Sequence, residues 1–192
     1  MNIRLRSVLF IVLILTICMR LSAQGKSSKY EIHASVGSSL LGSGDVIAYN
    51  YETGINYIAN KFFSFSMSLN FGKGKINPND PDILALEFIQ GNFNCYLFPL
   101  KTTSPIGIKM GSGLSLHDLS KVTLNYITID QNTGREVYIY DRVSYSTFGL
   151  NFILEPYYRF KNGTVANLKF YFQRYRNRGT NIGYAAKLSY RL

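Results

Sequence analysis

Residues Ile182-Gly-Tyr-Ala-Ala-Lys-Leu-Ser-Tyr-Arg-Leu192 alternate without a break. Ile182, Tyr184, Ala186, Leu188, Tyr190 and Leu192 share one face of an extended strand, and Gly183, Ala185, Lys187, Ser189 and Arg191 share the other. Successive strand side chains point to opposite sides, so the pattern sets one face against an apolar medium and the other against a polar one. About 9 to 11 tilted residues cross a bilayer as β, which is the length of this stretch. The rest of the chain decides whether lipid is the apolar medium.

The same period recurs from Tyr30 onward. Tyr30 to Leu40 sets Tyr30, Ile32, Ala34 and Val36 against Glu31, His33, Ser35 and Gly37. Val46 to Ile58 sets Ile47, Tyr49, Tyr51, Ile55 and Tyr57 against Ala48, Asn50, Glu52, Gly54 and Asn56. Phe63, Phe65, Met67, Leu69 and Phe71 then oppose Ser64, Ser66, Ser68, Asn70 and Gly72. With Ala59-Asn60-Lys61 as a three-residue turn, Tyr57 meets Phe63, Ile55 meets Phe65, Tyr51 meets Leu69 and Tyr49 meets Phe71, so the apolar faces coincide.

Leu84 to Phe98 carries Phe93, Cys95 and Leu97 outward after a phase change expected near Gly91. Ile106, Ile108, Met110, Leu114 and Leu116 begin a fifth strand, and alternation resumes in Val122, Leu124 and Tyr126. It crosses Asp130-Gln-Asn-Thr-Gly134 and runs on from Val137 to Leu154, predicting that strands five and six form one long hairpin projecting beyond the membrane. Lys161-Asn162-Gly163 is the next turn, with Gly163 supplying the positive φ of a three-residue hairpin. Strand seven, Thr164 to Tyr175, turns Ala166, Leu168, Phe170 and Phe172 outward, and Phe160 pairs with Thr164, which brings Glu155 opposite Lys169.

The count is eight, and an even number returns the chain to the side on which it began. Ala59 to Lys61, Pro99 to Ser104 and Lys161 to Gly163 are short links, whereas Lys73 to Ile83 and the Leu119 to Arg142 hairpin are long. Short periplasmic turns and long outer loops have that asymmetry. The predicted fold is all-β: an eight-stranded antiparallel up-and-down transmembrane β-barrel. A soluble eight-stranded barrel such as a lipocalin alternates equally well with its faces reversed, but its outer face would need many Lys and Glu. Here the polar face is mainly Ser, Asn and Gly, small enough for a narrow interior.

The first residues carry the address. Arg4 and Arg6 precede the apolar run Val8 to Leu15, and Leu21-Ser22-Ala23 ends in a small residue, so residues 1–23 read as a cleaved signal peptide and residues 24–192 as the mature domain. Val8 to Ile17 is too short for a membrane helix, which needs roughly 20 residues. Cys18 follows the bulky Ile17, where a lipidation site has a small residue. Cleavage leaves Cys95 as the remaining cysteine, so no internal disulfide holds the fold. It also removes Arg4, Arg6 and Arg20 with no acid, lowering the formal charge from +10 to +7. The basic residues form no single run and an exported chain rarely meets nucleic acid, so anionic lipid headgroups are the expected partners of that charge. No zinc or calcium-loop spacing occurs, including among the loop acids Asp118, Asp130, Glu136 and Asp141. No cofactor is expected.

From Tyr30 to Leu192 the chain resembles the small eight-stranded outer-membrane barrels of the OmpA/OmpX type. The resemblance rests on the alternation, the loop asymmetry and the terminal strand Ala185 to Leu192, which resembles the signal read by the barrel-insertion machinery and departs from it in ending on Leu192. It implies residence in the cell outer membrane, a closed interior filled by side chains, and insertion by that machinery. It also implies outer-membrane lipid and lipopolysaccharide as neighbours, and a monomer.

Two groups of residues are the candidate sites. Glu52, Glu155, Lys109, Lys169 and Lys187 fall on the polar face and are expected to form a lumen charge cluster, with Lys187 close to the Glu155 and Lys169 pair. The expected role is an ion-pair plug; a proton or ion path is the alternative. Lys73, Lys75, Lys121, Arg135, Arg142, Arg174, Arg176 and Arg178 are expected together at the extracellular rim, within reach of lipopolysaccharide phosphates. The protruding hairpin, with Tyr126, Tyr138 and Tyr140, offers strand edges to a partner. His33 and Ser35 resemble the His-x-Ser pair of outer-membrane lipid A deacylases, but both face inward and no carboxylate is expected beside His33; His117 is expected near the outer rim without better partners. No catalytic residue is therefore assigned. The expected function is a non-enzymatic barrel serving envelope integrity or surface interaction. The alternatives are a narrow pore or conduit for small apolar solutes, and a lipid A-modifying enzyme.

Overall fold

The computed structural model describes residues 29–42, 46–75, 83–100, 104–129, 135–176 and 179–192. The expected signal peptide, Asp130 and Arg178 lie outside them. Eight strands follow in order: β1 Tyr30–Leu41, β2 Val46–Ile58, β3 Phe63–Lys75, β4 Ile83–Leu97, β5 Ile106–Ile129, β6 Glu136–Arg159, β7 Thr164–Tyr175 and β8 Thr180–Arg191. Each pairs antiparallel with its chain neighbours, and β8 pairs with β1 to close the barrel. Leu192 N–H donates to the Tyr30 carbonyl at that seam. Closure leaves no exposed edge inside the barrel wall, the condition for a sheet in lipid.

The burial pattern is inverted relative to a water-soluble barrel. On the third strand Ser64, Ser66, Ser68 and Asn70 are buried, while Phe63, Phe65, Met67, Leu69 and Phe71 are exposed. Every strand repeats this, so the apolar belt is outside and the polar residues are enclosed. On β5 the belt runs from Ile106 to Leu116 and stops at Asp118. At about 3.3 Å per residue and a tilt near 40°, that stretch rises roughly 25 Å, the height of a hydrocarbon layer. At the end with the short turns, Tyr30 packs on Tyr57 with ring centroids 5.4 Å apart, and Tyr158 packs on Phe160 at 4.8 Å, forming part of an aromatic girdle.

Two expectations about register fail. Tyr57 pairs with Phe65, Ile55 with Met67, Tyr51 with Phe71 and Tyr49 with Lys73, two residues on from the three-residue turn. Asn60 is the cause: its side-chain oxygen accepts the N–H groups of Phe62 and Phe63 at 2.8 and 2.9 Å, stabilising a longer loop. A slip of two preserves face matching, so alternation alone does not detect it. Second, β4 has no phase change near Gly91; Leu86, Phe88, Gln90, Asn92 and Asn94 are all buried on the inward side.

The expected β6–β7 register and the long hairpin are present. Leu154 pairs with Phe170 and Phe172 with Phe152, and Phe160 N–H donates to the Thr164 carbonyl at 2.8 Å across a turn in which Gly163 has φ of 84°. The fifth and sixth strands each run for 24 residues as one hairpin.

The β6–β7 ladder is interrupted once, between Leu154–Phe170 and Tyr157–Asn167, where Pro156 stands opposite Leu168. Proline has no N–H for the Leu168 carbonyl in a wall that borders lipid. Pro156→Ala is expected to restore that donor and raise stability by about 1 kcal/mol, seen as a higher urea midpoint for the folded, heat-modifiable gel band.

Candidate functional site: a filled lumen and a charged outer rim

Inward glycines make room for inward aromatic rings. Gly72 lies opposite Phe88, Gly107 opposite Tyr157, Gly111 opposite Tyr96, Gly149 opposite Tyr175 and Gly183 opposite Tyr171. A Cβ on any of the five would meet its partner's ring at 2.9 Å or less. A narrow barrel is filled by pairing small with large residues in this way. Gly111→Val is expected to displace Tyr96 and cost about 1–3 kcal/mol, read as a lower urea midpoint with the folded band retained.

The rings and polar groups stack into layers. Toward the turn end Tyr96, Phe98, Ile153, Tyr157, Val165 and Tyr171 form one apolar cluster. Toward the hairpin end Leu41, Val46, Ala48, Leu86, Phe88 and Leu119 form another. The inward Leu86 and Phe88 thus belong to an apolar cap over the lumen, not to the lipid belt.

The charges sit among the rings of the turn-end cluster. Lys169 Nζ is 2.7 and 2.9 Å from the Glu52 carboxylate oxygens, and Lys187 Nζ is 3.1 and 3.3 Å from those of Glu155. Lys109 Nζ stands 3.7 Å from Glu155, whose carboxylate also accepts the Tyr96 hydroxyl at 3.0 Å. The three ammonium groups sit over aromatic faces: Lys187 over Tyr96, Lys169 over Tyr171, and Lys109 over Phe98 and Tyr157, all at 5.5 to 5.6 Å. Each buried cation therefore has both a carboxylate and a ring, the compensation that burial of charge requires. Glu155 and Lys169 occupy opposite places on neighbouring strands, as the sequence implies, but their ion pairs go elsewhere. Lys169 reaches across the lumen to the second strand, and Glu155 is held by Lys187 and Lys109. Nearer the turns, Arg159 and Glu31 make a further pair at 3.4 Å.

A neutral layer separates these charges from the hairpin-end cap. The Tyr175 hydroxyl is within hydrogen-bond distance of Gln90, Gln173 and His117, and Asn151 donates to Asn94 at 2.9 Å. His117 is buried there, bonded to Gln90 at 3.1 Å and packed between Phe88 and Tyr175, which corrects its expected place at the rim.

His33 and Ser35 are both buried and face the lumen. The expected lack of a carboxylate is wrong: Glu52 Oε1 lies 3.5 Å from His33 Nε2. That separation is too long for a hydrogen bond, and among the described residues neither ring nitrogen of His33 has a hydrogen-bond partner. The imidazole therefore does not activate Ser35 in this arrangement. Among the described residues no group of His, Cys, Asp and Glu is arranged to hold a metal ion.

At the hairpin end the belt stops at a polar band. Lys73 pairs with Glu87 at 2.9 Å, and this ammonium holds the Glu87 carboxyl below the usual carboxylate range. Arg142 Nε donates to Ser120 at 2.8 Å, Ser144 to Ser120 at 3.1 Å and Ser146 to Asp118 at 3.3 Å. Lys73 and Arg142 thus share one band, and Arg174 stands beyond Phe172 at the same end. Lys121 lies on the opposite face of the hairpin, and Arg135 sits near its tip beside Glu136. Among the described residues, these basic side chains share an end of the barrel but do not gather into one cluster.

Above this band, among the described residues, the hairpin stands by itself. The fourth strand pairs with β5 as far as Thr123, and the seventh pairs with β6 only from Gly149 downward. Beyond those points, among the described residues, β5 and β6 pair only with each other, through a bulge between Leu124 and Tyr126. Tyr126, Ile127, Ile129, Val137, Tyr138, Val143 and Tyr145 are exposed along this ribbon.

No protein-family model and no curated protein matches the sequence. Solved structures do match the fold. Neisserial surface protein A aligns at 13% identity with a TM-score of 0.64, covering 86% of this chain and 98% of that one. Ail, the attachment invasion locus protein of Yersinia pestis, aligns in its complex with the heparin analogue sucrose octasulfate at 10% identity and TM-score 0.56, covering 87% of this chain and all of that one (100%). The outer membrane enzyme PagL aligns at 9% identity and TM-score 0.51, covering 84% and 99%. The shared property is the small eight-stranded outer-membrane barrel fold, which by itself hosts both surface proteins and an enzyme.

Proposed function

We propose that this chain is an outer-membrane protein, exported by a cleaved signal peptide and inserted by the barrel-insertion machinery, that acts at the cell surface through its protruding hairpin. The observation that carries this reading is the contrast between the two ends of the barrel. The lumen is filled in layers, while two strands continue past the belt with apolar and aromatic side chains facing water. A soluble surface rarely keeps such a patch without a use for it.

The barrel serves envelope integrity or surface interaction as a monomer within its own membrane, and neither conducts solutes nor catalyses. The two apolar caps and the satisfied ion pairs support a lumen that holds the wall together. The inward, unbonded His33 and buried Ser35 support the absence of a lipid-cleaving centre. Lys73, Arg142 and Arg174, with Lys75, Lys121, Arg135, Arg176 and Arg178 at the same end of the sequence pattern, are the residues proposed to meet lipopolysaccharide phosphates. Ail, of the same fold, is known in complex with a polyanion.

An epitope inserted between Asn132 and Thr133 tests the reading. Antibody is expected to bind it on intact cells, with the protein fractionating in the outer membrane and giving no stable conductance in planar bilayers. Detection only after lysis would overturn the surface assignment.

A further inference from the structure

The free edge of β6 is complementary to itself when turned around. Phe160 N–H donates to Thr164 and the Phe148 carbonyl accepts from Arg176, so even-numbered residues of β6 direct their backbone groups toward the seventh strand. Above Phe148, Glu136, Tyr138, Tyr140 and Arg142 therefore present N–H and C=O groups to an edge with no strand beside it among the described residues. The sequence there is Arg135-Glu136-Val137-Tyr138-Ile139-Tyr140-Asp141-Arg142, with charges in the order positive, negative, then negative, positive.

Two copies standing in one membrane would bring these edges together parallel, about an axis along the strands. Each residue would then lie beside its own copy, Glu136 by Glu136 and Arg142 by Arg142, and like charges side by side repel. An antiparallel meeting reverses this. Hydrogen bonding requires even residues to face even residues. With Ile139 at the centre, Glu136 faces Arg142 twice and Tyr138 faces Tyr140 twice on one side, while the two Ile139 side chains meet on the other. Antiparallel edges belong to hairpins that point at each other.

We infer that the β6 edge is a homotypic docking site, at which a second copy of this chain in a facing membrane adds its own β6 antiparallel about Ile139. The two sheets then continue through the contact, each satisfying the other's edge groups. This rests on the hairpin projecting outward, as proposed above.

The test uses the mature protein in lipid vesicles, with the epitope at Asn132 confirming that hairpins face outward. Vesicle clustering is read by light scattering, and folding by the heat-modifiable gel band. Wild-type vesicles are expected to cluster, and Glu136→Arg or Arg142→Glu vesicles to lose clustering about tenfold. Mixing the two variant populations restores it. The two substituted positions then face each other with opposite charge, and the unchanged Arg142 of one variant faces the unchanged Glu136 of the other. In a Cys95→Ser background, Ile139→Cys is expected to form a disulfide-linked dimer, whereas Tyr126→Cys is not. Outward hairpins without wild-type clustering would overturn the inference while leaving the surface reading intact. So would single variants that cluster like wild type, or a mixture that fails to recover.

Discussion

Glu155→Gln is expected to be among the most damaging single substitutions in the barrel, lowering stability by about 3–5 kcal/mol. The Glu155 carboxylate is fully buried and holds Lys187 at 3.1 Å, Lys109 at 3.7 Å and the Tyr96 hydroxyl at 3.0 Å. Glutamine keeps the shape and loses the charge, leaving two ammonium groups in an enclosed lumen with rings beside them and their directly paired carboxylate gone. The cost comes from the stranded cations, so removing one of them with its partner should recover part of it. Glu155→Gln combined with Lys187→Met is expected to be more stable than Glu155→Gln alone, a reversal that additive effects would not give. The chain has no Trp, so the folded, heat-modifiable gel band through a urea series is the readout.

The second large effect lies on the other face of the wall. Met110 points outward near the middle of the belt, and its chain neighbour Lys109 is buried. Met110→Arg is expected to cost about 2–4 kcal/mol in phospholipid vesicles, the penalty for a guanidinium near the bilayer midplane. On a water-facing barrel the same exposed position would be nearly neutral, within about 0.5 kcal/mol. Val137→Arg is a matched control, because Val137 is equally outside the core but stands on the hairpin above the belt. Its substitution is expected to leave the urea midpoint unchanged.

Much of this barrel is legible in the sequence because one physical requirement, lipid outside and a narrow polar interior, is imposed on every strand. Tyr30 to Leu40, Val46 to Ile58 and Thr164 to Tyr175 can be read from alternation nearly to the residue, and the long β5–β6 hairpin from the lack of any turn signal near Tyr145. The failures have a common origin in what alternation does not encode. A slip of two residues between β2 and β3 leaves every face unchanged, and Asn60, through its side-chain oxygen, sets the longer loop. The phase change expected near Gly91 is absent because Leu86 and Phe88, though apolar, point inward to cap the lumen, and Glu87 between them faces out to Lys73. Glu155 and Lys169 do stand opposite each other, but ion pairs inside a barrel also run along chords. Lys169 finds Glu52 across the lumen, a partner that neighbour-to-neighbour register does not reveal.

The glycine and aromatic pairs carry a signal that alternation alone passes over. Gly111 faces Tyr96 and Gly183 faces Tyr171 only once the register is known, and Tyr on the polar face looks like a break in the pattern until its glycine is found opposite. His33 is a similar case. It sits opposite Gly54, and Glu52 comes near it because Ser35, two residues along, is the backbone partner of Glu52.

Nitroxide accessibility along β3 reads the inverted wall position by position. Single cysteines from Phe65 to Phe71, in a Cys95→Ser background and reconstituted in lipid, carry the spin label one position at a time. Strict alternation is expected: labels at Phe65, Met67, Leu69 and Phe71 are readily relaxed by oxygen dissolved in the hydrocarbon, and labels at Ser66, Ser68 and Asn70 are protected from it. High accessibility of the odd positions to a water-soluble nickel reagent, or oxygen accessibility without a two-residue period, would contradict it.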